Sequence, residues 1–191
     1  QLKAIDDIKS DFFKQIPSDR IIIADVAYGK SEIIIRSIFL AAKSFLQSIL
    51  LVPTTLLSRQ HFKNFSQRLV PFGIKVKQLS RLITLKEKNE TLKKIKDGSI
   101  DVIIGTHALL NDNIEFKKLG LIVIDEEQHF GVKAKEKLKS LSPKAHVISL
   151  TATPIPRSMS LALSNIKDLS LILTTPHERL SIRTFLSPFD E

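Results

Sequence analysis

The chain has 191 residues, of which 43% are hydrophobic, and this proportion is typical of one compact domain with a sizeable core. It contains no cysteine, which excludes disulfides and thiolate metal sites and favours a reducing, cytoplasmic compartment. Twenty-nine Lys and Arg against twenty Asp and Glu give a formal charge of +9, which suits either a polyanionic partner or a merely soluble surface. No apolar run approaches the ~20 residues of a membrane-spanning helix.

The two ends of the sequence suggest a fragment. The chain begins at Gln1 without Met, and its first residues, QLKAIDDIKSDFF, lack the apolar core of a signal peptide. The last residues, 182–191, are predicted to form an extended exit segment toward a neighbouring domain. We therefore expect 1–191 to be a single domain of a larger protein.

Short apolar runs rich in Ile, Val and Leu recur along the chain and are predicted to be strands. Several lack polar alternation, as is typical of parallel strands buried on both faces. In chain order they are RIIIA (20–24), ILLVP (49–53), IKVKQL (74–79), DVIIG (101–105), LIVID (121–125), HVISL (146–150) and LSLIL (169–173).

Amphipathic stretches separate these strands. Helical apolar spacing occurs in 30–46, 55–70 and 85–98, the last closed by Gly98. The alternation predicts an α/β domain with a doubly wound, mostly parallel sheet of about seven strands and helices on both faces. Ligands of such sheets bind at the carboxyl ends of the strands.

The segment ADVAYGKS (24–31) fits the pattern of a phosphate-binding loop except at its first residue, where Ala24 replaces Gly. Such a loop needs backbone N–H groups at a helix N-terminus, a lysine and a hydroxyl. Gly29 lets the backbone approach a phosphate, Lys30 supplies the charge and Ser31 supplies a hydroxyl for Mg²⁺. The alternative is an ordinary strand-turn-helix.

Two acids end the buried strand LIVID. Asp125 and Glu126 lie where the sheet meets solvent, and in phosphoryl-transfer enzymes such acids hold Mg²⁺ and polarise the attacking water. Alone they would also fit a solvated acidic loop. On the same sheet as the Gly-Lys-Ser loop, they predict a site for ATP and Mg²⁺. The next strand ends in SLTATPIPR (149–157), which is either a rigid polar turn of this site or a plain loop.

These motifs together resemble a known family. DEEQ (125–128) followed by TATP, behind a Gly-Lys-Ser loop, resembles the first motor domain of superfamily 2 helicases and translocases, a RecA-like P-loop NTPase fold. Within it, GTHALL, LGLIVIDEEQHFGV and TATPIPRSMSLALS resemble the family of bacterial transcription-repair coupling factors. A related helicase that regresses stalled replication forks is the alternative, but YGKSE (28–32) and DEEQ favour the coupling factors.

The resemblance implies a role for each matching residue of the nucleotide site. Lys30, Asp125, Glu126 and Gln128 would be catalytic, with Ser31 and Asp125 on Mg²⁺ and Glu126 activating water. Gln128, with Thr151 and Thr153, would relay the state of the γ-phosphate to the DNA side. The residues implied to contact the nucleotide are Gln1, Ala24, Asp25, Val26, Ala27, Tyr28, Gly29, Lys30, Ser31 and Glu32. Gln1 would read adenine, unless it is a frayed terminal residue.

Three further stretches would face the DNA backbone by the same resemblance. They are Pro53-Thr54-Thr55, Ser80-Arg81 and Gly105-Thr106-His107. Each follows a predicted strand and offers hydroxyls, backbone N–H groups or a cation, which suit phosphates and carry no base code. The alternative is that the hydroxyl residues of these stretches cap helices. Capping and phosphate binding are compatible.

The sequence also departs from the family pattern. Ala24 and Ala27 stand where the family usually has Gly, which would narrow the loop or weaken phosphate binding. His129 occupies a place more often held by Arg. His61, His146 and His177 show no ligand spacing and are predicted to be surface or packing residues.

For the whole protein the resemblance implies an ATP-dependent translocase on double-stranded DNA. It would displace a stalled RNA polymerase and recruit the excision-repair damage-recognition protein. A second RecA-like domain in cis would supply the arginine finger, so this domain alone should have little ATPase activity. Alternatives from other classes are a P-loop small-molecule phosphotransferase, which leaves TATPIPR and DEEQ unexplained, and a basic nucleic-acid-binding module with a vestigial loop.

Overall fold

A computed structural model describes residues 1–14, 16–80, 83–110, 114–153 and 167–174 of the chain. The strands of this part are β1 Asp19–Ala24, β2 Gln47–Leu51, β3 Val76–Leu79, β4 Val102–Gly105, β5 Leu119–Ile124, β6 His146–Thr151 and β7 Asp168–Ile172. The α-helices are α1 Leu2–Phe12, α2 Lys30–Lys43, α3 Thr55–Leu69, α4 Leu85–Lys96 and α5 Val132–Ser140. Short 3₁₀ helices span Val70–Phe72, His107–Leu110 and Glu127–His129.

The strands form one sheet in the order β3-β4-β2-β5-β6-β1-β7, and every pairing is parallel. This confirms the predicted seven-stranded α/β sheet. Predicted strand ends differ by a few residues; β2, for example, begins at Gln47 rather than Ile49. Parallel strands place all their carboxyl ends at one edge of the sheet, so every loop that follows a strand emerges on the same side.

Two apolar layers enclose the sheet. On one face α1, α2 and α3 cover strand residues such as Ile22, Leu50 and Val123. On the other face α4 and α5 cover the alternate residues, such as Ile49 and Ile122. Side chains of successive strand residues point to opposite faces, so a strand buried on both faces needs an unbroken apolar run. The isoleucine-rich runs of the sequence therefore form the centre of the fold.

Helices α1 and α5 were not predicted. Helix α5, VKAKEKLKS, buries only Leu138, and so its sequence carries almost no apolar periodicity. Helix α1 buries Ala4, Ile5 and Ile8 but also the charged Asp11. The predicted exit segment 182–191 lies outside the described residues. Within the described part of the chain, no helix is long and apolar enough to cross a lipid bilayer.

A buried ion pair fastens α1 to the sheet. Arg20 Nε and Nη2 donate to the two carboxylate oxygens of Asp11 at 2.5 and 3.0 Å, and Arg20 Nη1 donates to Ser170 Oγ at 2.9 Å. Arg20 is 7% exposed and Asp11 is 2% exposed. Arg20 belongs to β1 and Ser170 to β7, so the contacts join the helix to two neighbouring strands. They fix the helix that begins just after Gln1.

The pair makes stability depend on pH. Burial raises the pKa of Asp11, but hydrogen bonds from Arg20 and Lys14 lower it by more, so its pKa lies below the ordinary value of 3.8. A lowered folded-state pKa stabilises the fold above the unfolded-state pKa of ~3.9, and this contribution is lost as the pH falls through the folded value.

We expect Asp11→Asn to lower the free energy of unfolding at pH 7 by roughly 3 kcal/mol, because the buried Arg20 would lose its nearest carboxylate and keep only Asp7 and Asp168, at 3.8 and 3.9 Å. The difference in the free energy of unfolding between the unaltered protein and the variant should shrink as the pH falls below ~4. Urea unfolding across pH measures this. Asp6→Asn is the matched control on the same helix, since Asp6 pairs with Lys9 at the exposed surface and should change little. A gap that does not depend on pH would contradict this account of the ion pair.

Candidate active site

Three predicted motifs meet at the carboxyl edge of the sheet. Strands β5, β6 and β1 are neighbours, with Ile124 opposite Ser149 and Ile23 opposite Thr151. The loop after β1, the acids after β5 and the threonines that end β6 therefore share one surface. The register alone brings them together, as the sequence predicted.

The loop between β1 and α2 takes a left-handed backbone at two positions. Gly29, at the N-cap of α2, has φ +78°, and Ala27 has φ +65°. Glycine adopts this conformation freely, whereas alanine is strained in it. Ala24 differs from Ala27 because it is buried at the end of β1 and has no positive φ. Of the two departures from the family's glycines, Ala27 is therefore the one that strains the backbone.

Gln1 lies against this loop. Its side-chain Nε2 donates to the carbonyl oxygen of Tyr28 at 2.8 Å. A Cβ added at Gly29 would lie 2.1 Å from the same Nε2 atom, so the glutamine occupies the space that glycine leaves open. The side chain is thus held by the loop rather than frayed, and it lies beside the residues predicted to bind phosphate. Its proposed contact with adenine stays a prediction.

Lys30 and Glu126 form the centre of the site. Lys30 Nζ lies 3.2 Å from Glu126 Oε1 and donates to the carbonyl oxygen of Ala24 at 3.3 Å. Gln128 Nε2 donates to the other carboxylate oxygen of Glu126 at 2.7 Å. Burial raises the pKa of Glu126, but the contacts with Gln128 and Lys30 lower it by more, and the resulting pKa is below the usual value. Glu126 is therefore a carboxylate near neutral pH, with both oxygens engaged.

The backbone of Glu126 is itself strained, since this non-glycine residue has φ +51° and ψ +58°. Such strain persists where surrounding contacts hold it, and it is concentrated at functional sites. The turn carries the carboxylate away from the end of β5 and toward Lys30.

A chain of hydrogen bonds continues from Glu126 into β6. Thr151 Oγ1 donates to Gln128 Oε1 at 2.8 Å, and the backbone N–H of Thr153 donates to Thr151 Oγ1 at 3.1 Å. Gln128 thus contacts Glu126 with its amide nitrogen and Thr151 with its amide oxygen. The structure brings together the three residues predicted to relay the state of the nucleotide. The remainder of TATPIPR, 154–157, lies outside the described residues.

Asp125 is buried, at 6% exposure, and both of its oxygens have partners. Oδ1 accepts from the backbone N–H of Glu126 at 3.1 Å, and Oδ2 lies 3.1 Å from His61 Nε2. The prediction that His61 is a packing residue was incomplete, because this histidine contacts a candidate metal ligand. The spacing of the buried residues Ser58, His61 and Phe65 shows that His61 faces the sheet, but not which carboxylate it meets.

The donor set fits Mg²⁺. This ion keeps several non-protein ligands and usually takes one or two protein oxygens together with phosphate oxygens. Asp125 offers a carboxylate, and Ser31, in the first turn of α2, offers a hydroxyl. Within the described ranges, no cluster of three or more His, Cys, Asp or Glu is arranged to hold a metal by itself. The residues present suit a cation that arrives with a nucleotide.

Glu32 was predicted to contact the nucleotide, and its carboxylate lies between two arginines. Arg36 Nε and Arg68 Nη1 each donate to it at 2.6 Å. These hydrogen bonds, that of Arg68 first, lower the pKa of Glu32 to about 2. The contact with Arg68 joins α2 to α3, so Glu32 has a structural function whether or not it also contacts a ligand.

The candidate DNA-facing stretches follow β2, β3 and β4, which are neighbours at the other end of the same edge. Thr54 is exposed and caps α3 by accepting from the N–H of Leu57 at 3.2 Å, which confirms the capping alternative for this residue. Ser80 and Thr106 are buried, at 5% and 6% exposure. Arg81 lies outside the described residues.

His107 is exposed, and its ring packs on Phe130 with the centroids 5.3 Å apart. Phe130 follows the turn that carries Glu126 and Gln128. A Cβ added at Gly105 would lie 2.3 Å from the carbonyl oxygen of Leu79, so β3 and β4 approach too closely for any side chain there. The loops after these strands therefore begin close together, and one of them contacts the acidic turn.

Comparison with known proteins identifies the family. The family model described as DEAD/DEAH box helicase matches residues 1–162. The chain belongs to the DEAD/DEAH box helicase family. Curated relatives include the transcription-repair-coupling factors of Rickettsia prowazekii, 46% identical, and Escherichia coli, 41% identical. Each match covers 100% of this chain but 17% of the relative, so the chain spans about a sixth of the length of these proteins.

A solved structure shows the same fold. The structure of RecG bound to a three-way DNA junction matches 95% of this chain and 24% of that chain, with a TM-score of 0.79 and 32% identity. The seven-stranded parallel sheet of the present chain is thus the predicted RecA-like α/β fold. The resemblance to transcription-repair coupling factors found in the sequence is also confirmed.

If this site binds ATP, Lys30→Ala should reduce ATP affinity at least tenfold while the fold is retained, because a charge-assisted contact to phosphate is lost. Calorimetry with purified protein measures it. Lys43→Ala removes an equal charge from the other end of α2 and should bind ATP as the unaltered chain does. Equal affinity in all three proteins would exclude the phosphate role of Lys30.

Proposed function

We propose that residues 1–191 form the ATP-binding first motor domain of a translocase that moves on double-stranded DNA. In the whole protein, which would act in the cytoplasm, ATP hydrolysis would displace a stalled RNA polymerase and couple transcription to nucleotide-excision repair. The similarity to transcription-repair-coupling factors over 100% of this chain supports this proposal. The observation that carries it is the chain of contacts from Lys30 through Glu126 and Gln128 to Thr151.

The proposed chemistry uses these residues in order. Lys30 would exchange the Glu126 carboxylate for β- and γ-phosphate oxygens of ATP. Glu126, freed from the ammonium and already ionised, would accept a proton from the attacking water. Ser31 and Asp125 would hold Mg²⁺, which neutralises charge that develops on the phosphoryl oxygens.

The same exchange would couple hydrolysis to movement. Gln128 is bonded to both Glu126 and Thr151, so displacement of Glu126 would alter the contact with the end of β6. On the other side, Phe130 packs on His107 beside the candidate DNA loops. Both sites border one short turn, which supports a motor in which nucleotide and DNA influence each other. Coupling of this kind is a difference in affinity and is reciprocal.

Two parts would come from elsewhere in the protein. A second RecA-like domain in cis would supply an arginine finger, and such a residue raises turnover by roughly 10³–10⁵. We therefore expect the isolated domain to hydrolyse ATP slowly. RNA polymerase and the excision-repair damage-recognition protein would bind outside this chain.

A second candidate is the fork-regression helicase. It is favoured by the match to RecG, whose structure was determined on a three-way DNA junction. Both candidates use the same site and the same DNA contacts. Preference for branched over linear duplex in the intact protein would favour the second candidate.

We expect binding to duplex DNA that is independent of sequence and falls steeply with salt, because the candidate loops offer contacts to phosphates only. Arg81→Ala should weaken binding equally on unrelated sequences and reduce the slope of log affinity against log salt by about one. Fluorescence anisotropy at low salt measures both.

Lys43→Ala provides the matched control, since it removes the same charge at the end of α2, which lies at the amino edge of the sheet. It should leave affinity and slope unchanged. An Arg81→Ala variant with altered preference among sequences, or binding that ignores salt, would contradict a motor that follows the backbone.

A further inference from the structure

Helix α3 places a histidine on the candidate metal ligand. His61 Nε2 lies 3.1 Å from Asp125 Oδ2, and the two side chains are only 7% and 8% exposed. The His61 ring also packs edge-on against Phe65, with the centroids 5.1 Å apart and the planes at 65°. The imidazole is therefore held between an aromatic ring of its own helix and the carboxylate at the end of β5.

The direction of this contact follows from the chemistry of the two groups. A carboxylate accepts hydrogen bonds, so the proton must be on Nε2 of His61, which donates to Asp125. The other carboxylate oxygen accepts from the backbone N–H of Glu126 at 3.1 Å. With one donor on each oxygen, rotation of the Asp125 carboxylate would break at least one buried hydrogen bond.

Helix α3 is itself well fixed over the sheet. Gln78 Nε2 of β3 donates to Ser58 Oγ at 3.0 Å, one turn before His61. Arg68, near the end of the helix, pairs with Glu32 of α2. Thr54 caps the first turn. The position of the His61 ring is thus determined by contacts along the length of the helix rather than by Asp125 alone.

We propose that His61 is a positioning residue, which holds the Asp125 carboxylate in the orientation that binds the Mg²⁺ of the nucleotide. This inference rests on the proposed function, since it requires an ATP and Mg²⁺ site at Asp125. Residues that bond to a metal ligand fix its orientation, and their loss typically reduces metal affinity 10–100-fold. The sequence gives no indication of this role, because His61 and Asp125 belong to different motifs.

The test compares two substitutions in the full-length protein. His61→Gln keeps an N–H donor at a similar reach, whereas His61→Phe keeps a ring of similar shape without the donor. ADP binding is measured by calorimetry in EDTA and then as a function of Mg²⁺ concentration. The thermal unfolding midpoint of each protein is recorded alongside.

We expect all three proteins to bind ADP equally in EDTA. His61→Phe should need at least tenfold more Mg²⁺ to reach half of the Mg²⁺-dependent gain in affinity, and His61→Gln should need no more than the unaltered protein. An unchanged Mg²⁺ requirement in His61→Phe would overturn the proposal. If His61→Phe lost as much ADP affinity in EDTA as in Mg²⁺, the proposal would also be overturned, since His61 would then act only through the fold. If the phenylalanine ring prevents folding, His61→Leu serves for the same comparison.

Two further variants separate this inference from the proposed function. Lys30→Ala should lose ADP affinity both in EDTA and in Mg²⁺, and Asp125→Asn should lose the dependence on Mg²⁺. If these two variants bind ADP like the unaltered protein, with the same dependence on Mg²⁺, then Lys30 and Asp125 do not form the nucleotide site and His61 has no such role. If they behave as expected and His61→Phe does not, only the role of His61 is refuted.

Discussion

The contact between the Lys30 ammonium and the Glu126 carboxylate, 3.2 Å apart, is the interaction on which the site depends. It joins the loop after β1 to the turn after β5 across the intervening strand β6. At this distance in a partly buried setting, two unit charges attract with roughly 5 kcal/mol at an effective dielectric constant of 20, before the cost of removing them from water. A phosphate that binds Lys30 must therefore compete with Glu126, and a cation that binds Glu126 must compete with Lys30.

This competition determines how the site would respond to a bound phosphate. Glu126 sits on a left-handed backbone and has a second partner in Gln128, so its carboxylate would keep this hydrogen bond, and could shift Gln128 with it, when Lys30 turns toward another anion. The strain at Glu126 and at Ala27 lies in the two turns that face each other. The rigid sheet below, buried on both faces, keeps the two turns at a constant separation. The sheet therefore supports two strained turns, and their charged groups, Lys30 and Glu126, would exchange partners when a phosphate binds.

The sequence was sufficient to predict the sheet and the meeting of the motifs, for a physical reason. A parallel strand buried on both faces must be apolar throughout, so the runs around Ile22 and Val123 could be recognised without knowledge of their neighbours. Parallel pairing then places Lys30, Asp125 and Thr151 at one edge whatever the details of packing.

The remaining features depend on where each helix lies over the sheet, and no local pattern encodes this. The Asp11–Arg20 pair, the Glu32–Arg68 pair and the His61–Asp125 contact each join residues from different elements. Helix α5 was not predicted because only its Leu138 is buried. The left-handed turn at Glu126 was not predicted because the residue at that position is not a glycine. Tertiary contacts determine these features.

The most direct test of a DNA-driven motor is the steady-state ATPase rate of the full-length protein with and without duplex DNA. The account predicts slow hydrolysis alone, a clear increase in kcat with duplex of any sequence, and loss of both rates in Glu126→Gln. Rapid hydrolysis that duplex DNA does not change, and that Glu126→Gln abolishes, would instead show a self-sufficient phosphotransferase and contradict the account.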